Sequence, residues 1–150
     1  MDIILKGKIE RVKSLQKEQG AACALLLSNG ESKVCFDRGV KPLLQAHAQG
    51  QLAGAVLCDK VVGKAAAMLA AFGGVSALHA RLISTPAIAV LERAGIPYTF
   101  DEKCERIVNR RGDGLCPMES AVMDTDDPRD ALPRIMRTLK ELREKEEQTP

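Results

Sequence analysis

AGAVLCDKVVGKAAAMLAAFGG, residues 53–74, and VSALHARLISTPAIAVLERAGIPYTF, residues 75–100, decide the fold. Each opens on a short apolar run and continues into a longer segment carrying helix signals. AGAVLC (53–58) has the length and composition of a strand, and DKVVGKAAAMLAAF reads as a helix with Asp59 as N-cap and Gly73-Gly74 as its stop. VSALHARLIS (75–84) repeats the pattern as a buried strand, TPAIAVLERAGI as a helix with Pro86 near its start, and PYTF (97–100) as a third strand. Strands that alternate with helices build parallel pairs, because a parallel neighbour is reached only through a crossover long enough to hold a helix.

Outward from this centre the other elements follow. AACALLL and SKVCF flank Asn29-Gly30, which predicts a hairpin closed by a type I′ turn, since both central residues of that turn need positive φ. Residues 2–19 form an amphipathic helix with Leu5, Ile9, Val12 and Leu15 or Gln16 on one stripe and Gly20 as its end; residues 41–49 form a short one with Pro42 early. CERIVN (104–109) is read as a last strand before the RRGDG turn, and Cys116–Met123 as a brief helix. Pro128 opens a final helix whose stripe is Leu132, Ile135, Met136, Leu139 and Leu142. The expectation is one α/β domain over 1–150, three-layer α/β/α with a mixed sheet, bounded by helices at 1–20 and 128–147.

Composition narrows the function classes. Hydrophobic residues make 45% of the chain, enough for a real core. Lys plus Arg number 22 against 20 Asp plus Glu, with three Phe, one Tyr and no Trp, so neither a basic face nor aromatic platforms point to a nucleic-acid partner. No apolar run reaches the roughly 20 residues of a membrane span, and MDIILKGKIERVK lacks a signal-peptide pattern. Five scattered cysteines without a CxxC pair fit a reducing, cytoplasmic setting.

Metal binding has no support: His47 and His79 lie far apart with no partner at ligand spacing, so neither a metal nor another cofactor is expected. VVGKAAA fails as a phosphate loop, with Cys58 where a glycine belongs and Ala65 where Ser or Thr belongs. Lys64 nevertheless stands early in a helix, where the macrodipole disfavours a cation unless an anion is near. RGD at 111–113 matches an adhesion tripeptide but reads as a turn. In GLCPMES (114–120), Pro117 makes Cys116 an N-cap and lets Glu119 accept from the amide of residue 116. The same position lowers a thiol pKa, so Cys116 is also a candidate thiolate, with no histidine nearby to act as its base.

The element order from the hairpin to about residue 100 resembles the cytidine deaminase-like superfamily. Gly63-Lys64-Ala65-Ala66 stands where that superfamily has His-x-Glu, and Ser84-Thr85-Pro86-Ala87 where it has Pro-Cys-x-x-Cys, followed by LERAGIPYTF. The zinc ligands and the catalytic glutamate are missing, which contradicts zinc-dependent deamination. DKVVGKAAA, the GGV strand ending in Ser84, Asn109-Arg110 and GLCPME together resemble an uncharacterised bacterial family, the domain of unknown function numbered 1893. The resemblance implies a zinc-free deaminase-like domain whose pocket is refitted, and brings no activity with it.

Ligands of open α/β sheets sit beyond strand ends at helix N-termini. Asp59, Lys60, Ser84, Asn109 and Arg110 are therefore expected to bind a ligand, with Cys116, Lys64 and Glu119 as the candidates for chemistry. Three functions are weighed: a module binding a small, anionic, phosphate-bearing or nucleotide-like molecule; an enzyme using Cys116 or Lys64 in covalent or acid–base catalysis; and a non-catalytic interaction protein, with the charged terminal helices suiting a homodimer.

Overall fold

The computed structural model describes residues 1–148, so the last two residues of the expected domain lie outside the described residues. Strands β1 (Cys23–Leu26), β2 (Ser32–Cys35), β3 (Val56–Val62), β4 (Ala77–Ser84) and β5 (Tyr98–Cys104) form one sheet in the order β2-β1-β3-β4-β5. The helices are α1 (Ile3–Gln19), α2 (Lys41–Ala48), α3 (Lys64–Gly73), α4 (Thr85–Ala94), α5 (Pro117–Val122) and α6 (Ala131–Gln148). A 3-10 turn, Pro128–Asp130, precedes the last of them.

β1 runs antiparallel to both β2 and β3, whereas β3, β4 and β5 are parallel, so the sheet is mixed. The crossovers through α3 and α4 step in one direction along the sheet and share its hand, which puts both helices on one face. There Leu25, Leu57, Leu78 and Ala80 meet Leu43, Met68, Leu69, Leu91, Val122 and Ile135 in the main core. α1 covers the other face, with Ile9 and Val12 against Ala24, Val56, Cys58 and Ala77. Asp2 starts α1 by accepting from the Leu5 amide at 2.7 Å, and Gly20 ends it at φ 62°.

Five local readings are corrected by the structure. β3 does not end at Cys58 but runs to Val62, because Val61 and Val62 are β-branched and prefer extended backbone. Gly63, not Asp59, is therefore the N-cap residue of α3, and Asp59 and Lys60 belong to the strand. The hairpin forms without a type I′ turn, since Gly30 (φ 90°) has positive φ and Asn29 does not. Instead Gly30 donates to the Leu27 carbonyl at 2.9 Å and Leu27 to that of Glu31 at 2.8 Å, closing a three-residue loop. The Asn29 carboxamide accepts from the Glu31 amide at 2.9 Å, a local bond available without left-handed backbone. β5 takes in residues 101–104, and of CERIVN the rest makes a single bridge, Val108 to Leu115. Pro128 opens the 3-10 turn, with α6 starting at Ala131.

A methyl at position 30 meets nothing within 4 Å, so its cost is backbone strain alone. Gly30→Ala is expected to lower the unfolding free energy by about 1–2 kcal/mol, read from the urea midpoint.

Candidate functional site

The C-terminal end of β3 turns at Gly63 directly into α3, leaving the first amides of that helix without intrahelical partners. Glu119 supplies both acceptors: its Oε1 takes the Lys64 amide at 2.7 Å and its Oε2 the Ala65 amide at 2.8 Å. The carboxylate is buried and sits at the positive end of the α3 dipole. A Cβ on Gly63 would stand 2.2 Å from Oε1, so only glycine leaves room for the carboxylate. Glu119 thus caps α3 rather than its own helix. The Cys116 amide donates instead to the Ile107 carbonyl at 3.1 Å, and no side chain caps α5.

Beside this clasp lies a cavity of about 370 Å³. Its wall is mostly apolar (Ala22, Val40, Ala65, Ala66, Ile107 and Met118 among others), with Asp59, Cys116 and Glu119 as polar groups and Arg38 and Lys60 as cations. Asp59 is 8% exposed. Burial pushes its carboxyl up to about 7, against the opposing pull of the Lys60 and Val61 amides. Its Oδ1 accepts from the Lys60 amide at 2.8 Å. Lys60 and Arg38 are exposed, which sets both cations in solvent at the cavity's border.

Of the eight residues expected at a site, Asp59, Lys60, Cys116 and Glu119 come together at this cavity. The other four do not line it. Lys64 turns away: its Nζ donates to the Met123 carbonyl at 3.2 Å and pairs with Asp126 at 3.2 Å, which provides the anion its position requires. Ser84 is fully buried and caps α4, its Oγ accepting from the Ala87 amide at 3.2 Å. Asn109 holds its own turn, donating to Asp113 at 2.9 Å and accepting from the Gly112 amide at 2.8 Å. Arg110 is exposed on that turn. Arg38 was missed because it lies on an irregular loop with no motif; only the chain's path after β2 brings it to the cavity.

Residues 11–139 match the family model described as "Domain of unknown function (DUF1893)". The chain belongs to this family. A crystal structure of a DUF1893 family protein from Thermotoga maritima is similar at 27% identity and a TM-score of 0.77, covering 91% of this chain and 90% of that one. No curated protein matches the chain.

On the α1 face this DUF1893 domain carries a polar network that the sequence did not announce. His79, 1% exposed in β4, places Nδ1 2.6 Å from Thr99 Oγ1 and Nε2 3.1 Å from Asp101 Oδ1. A carboxylate only accepts, so Nε2 carries the proton and Nδ1 accepts from threonine. Burial holds the His79 pKa below its ordinary value, with Asp101 pulling the other way. Arg81 links Asp101 (3.2 Å) to Gln16 (2.8 Å), and Gln16 also accepts from the Cys58 thiol at 3.2 Å. The network fastens α1 to the sheet. Among the described residues no group of three or more His, Cys, Asp or Glu could hold a metal ion. No helix among them is long and apolar enough to cross a membrane.

Proposed function

We propose that this domain binds a small nucleotide-like molecule, its ring in the cavity and its phosphate toward Arg38 and Lys60. The observation that carries this reading is the cavity itself, about 370 Å³, mostly apolar, with the desolvated Asp59 carboxyl in its wall and two cations at its border. That volume lies in the range of ligand sites, which are apolar with a few placed polar groups. Asp59, near its midpoint at neutral pH, can donate to or accept from a ring nitrogen. The cavity adjoins Gly63-Lys64-Ala65-Ala66, where a deaminase-like domain has its first motif, so a zinc-free deaminase-like ancestry suits the same reading. The phosphate has no helix N-terminus to use at α3, because Glu119 already occupies it. We take the setting to be the bacterial cytoplasm and the partner to be a small molecule, with no nucleic acid.

A thermal-shift series of nucleobases, nucleosides, nucleotides and inorganic phosphate tests this. A ligand at a hundred times its Kd adds about 2.7 kcal/mol, roughly 5–10 °C in Tm for a chain of this size. Arg38→Ala is expected to erase the gain of nucleotide over nucleoside. A panel without any shift would sink the proposal.

A catalytic reading is favoured by one observation: Cys116 lines the same cavity as Asp59, so a thiol and an acid–base group belong to one site. A Cys116 adduct formed only with a bound electrophilic nucleoside analogue would support it; labelling indifferent to competing ligand would not. Lys64, committed to Met123 and Asp126, has no part in it.

A further inference from the structure

Cys35, Cys23 and Asp59 stand in one row across the first three strands. Cys23 pairs in register with Cys35 of β2 on one side and with Asp59 of β3 on the other. Both pairs are antiparallel, so the three side chains share a face and neighbours stand about 4.5–5.5 Å apart between Cα atoms. A disulfide spans roughly 4.4–6.8 Å between Cα atoms. Both cysteines are free thiols; Cys23 is buried, while Cys35 is half-buried on the strand that forms the sheet's edge.

The row is electrically asymmetric. The neighbouring Cys23 thiol brings the Cys35 thiol down to about 6; desolvation opposes it, the Lys33 ammonium helps and Asp37 opposes. The Cys23 thiol is pushed up, first by its neighbour Cys35, then by burial and by Asp59. Of the two, the outer sulfur is thus the readier to ionise. Cys58 and Cys104 are moved in the unreactive direction, Cys58 to about 12, both chiefly by burial.

We propose that Cys35 and Cys23 form a redox-active dithiol that exchanges with small-molecule disulfides, with Cys35 attacking, Cys23 resolving and Asp59 accepting the Cys23 proton. In the first step the Cys35 thiolate attacks one sulfur of RSSR; that S–S bond breaks and RS⁻ leaves, giving Cys35–S–SR. In the second, Cys23 passes its proton to the Asp59 carboxylate and attacks the Cys35 sulfur, and a second RS⁻ departs. The two cysteines lose two electrons to RSSR, which becomes two thiols once its leaving groups are protonated, one of them from Asp59. The reverse sequence reduces the protein disulfide with two small thiols. Neither cysteine lines the cavity, so the exchange shares only Asp59 with ligand binding there.

The test uses the whole chain, oxidised glutathione as probe, acid quenching and peptide mass mapping. The expected product is the Cys23–Cys35 disulfide. Cys23→Ser should hold glutathione on Cys35, and Asp59→Asn should slow the second step at least tenfold while moving the first much less. Alkylation of Cys35 should show an inflection near its value of about 6. A lower pKa raises the thiolate fraction but weakens each thiolate, so the advantage over an ordinary thiol of pKa ~8.5 is greatest in acid, about tenfold at pH 6. A glutathione adduct that persists on Cys35 in the unaltered chain overturns the dithiol. So does labelling of Cys104 or Cys116 at pH 6 as fast as Cys35. These readouts need no variant to fold, and they stay informative if every ligand for the cavity fails.

Discussion

Glu119→Ala should lower the unfolding free energy by about 3–6 kcal/mol, since each of its two bonds is charge-assisted and worth roughly 1.5–3 kcal/mol. The substitution strips the acceptors from the Lys64 and Ala65 amides at 2.7 and 2.8 Å and leaves them facing a void. Glu119→Gln should recover little, because one of its two terminal atoms becomes a donor aimed at a donor. Gly63→Ala tests the same contact from the other side. Its methyl would need the space of Oε1, 2.2 Å away, and can be seated only by driving the carboxylate off the helix. It should therefore cost nearly as much as Glu119→Ala in the native background and far less once Glu119 is gone. Denaturant midpoints of the four chains give the coupling, expected at about 2–3 kcal/mol. Additive effects would show that Glu119 is not what makes position 63 a glycine.

Asp59→Asn is expected to stabilise the chain, increasingly as pH rises above about 4 and fully from about pH 7. Burial raises the Asp59 pKa from 3.8 to about 7, so the folded state holds its proton more tightly than the unfolded chain does. Below the unfolded value both states are protonated and the neutral carboxyl costs little. As pH climbs from 3.8 to about 7 the folded state must either keep the proton or bury the charge, and stability is lost across that window. At 1.36 kcal/mol per unit the full loss is about 4 kcal/mol. Asparagine keeps an acceptor for the Lys60 amide and never ionises. Unfolding curves at pH 4, 6 and 8 should converge at the acid end and separate progressively above it. Parallel curves would mean that Asp59 is hydrated in the folded protein.

The alternation in residues 53–100 was legible because it is local: apolar runs of strand length, an alanine-rich stretch, Ser84 before Thr85-Pro86, glycine at Gly74 and Gly95. Where a strand gives way to a helix was harder. Asp59 resembles an N-cap, and only the preference of Val61-Val62 for extended backbone moves the boundary four residues on. Roles fixed by distant partners left no trace in spacing. Glu119 satisfies amides 55 and 54 residues away, Lys64 reaches a carbonyl 59 residues away, and His79 meets Thr99 and Asp101 only through the β4–β5 register. The cavity was half readable. Asp59, Lys60, Cys116 and Glu119 converge on it, whereas Ser84 and Asn109 are the polar residues whose own backbone surroundings had first claim on them.

The Glu119 clasp also gives the chain an order of assembly. The hairpin, β3–α3–β4 and β4–α4–β5 close through short connections, whereas joining Glu119 to the start of α3 closes a span of 55 residues. Local closures come sooner than long ones, so the sheet and its crossovers condense first and residues 107–119 dock afterwards. Because Ile107, Cys116, Met118 and Glu119 are part of its wall, the cavity comes into being only at that last step. Opening of this segment is then a sub-global event cheaper than unfolding the sheet, and slow hydrogen exchange at the Lys64 and Ala65 amides becomes its clock.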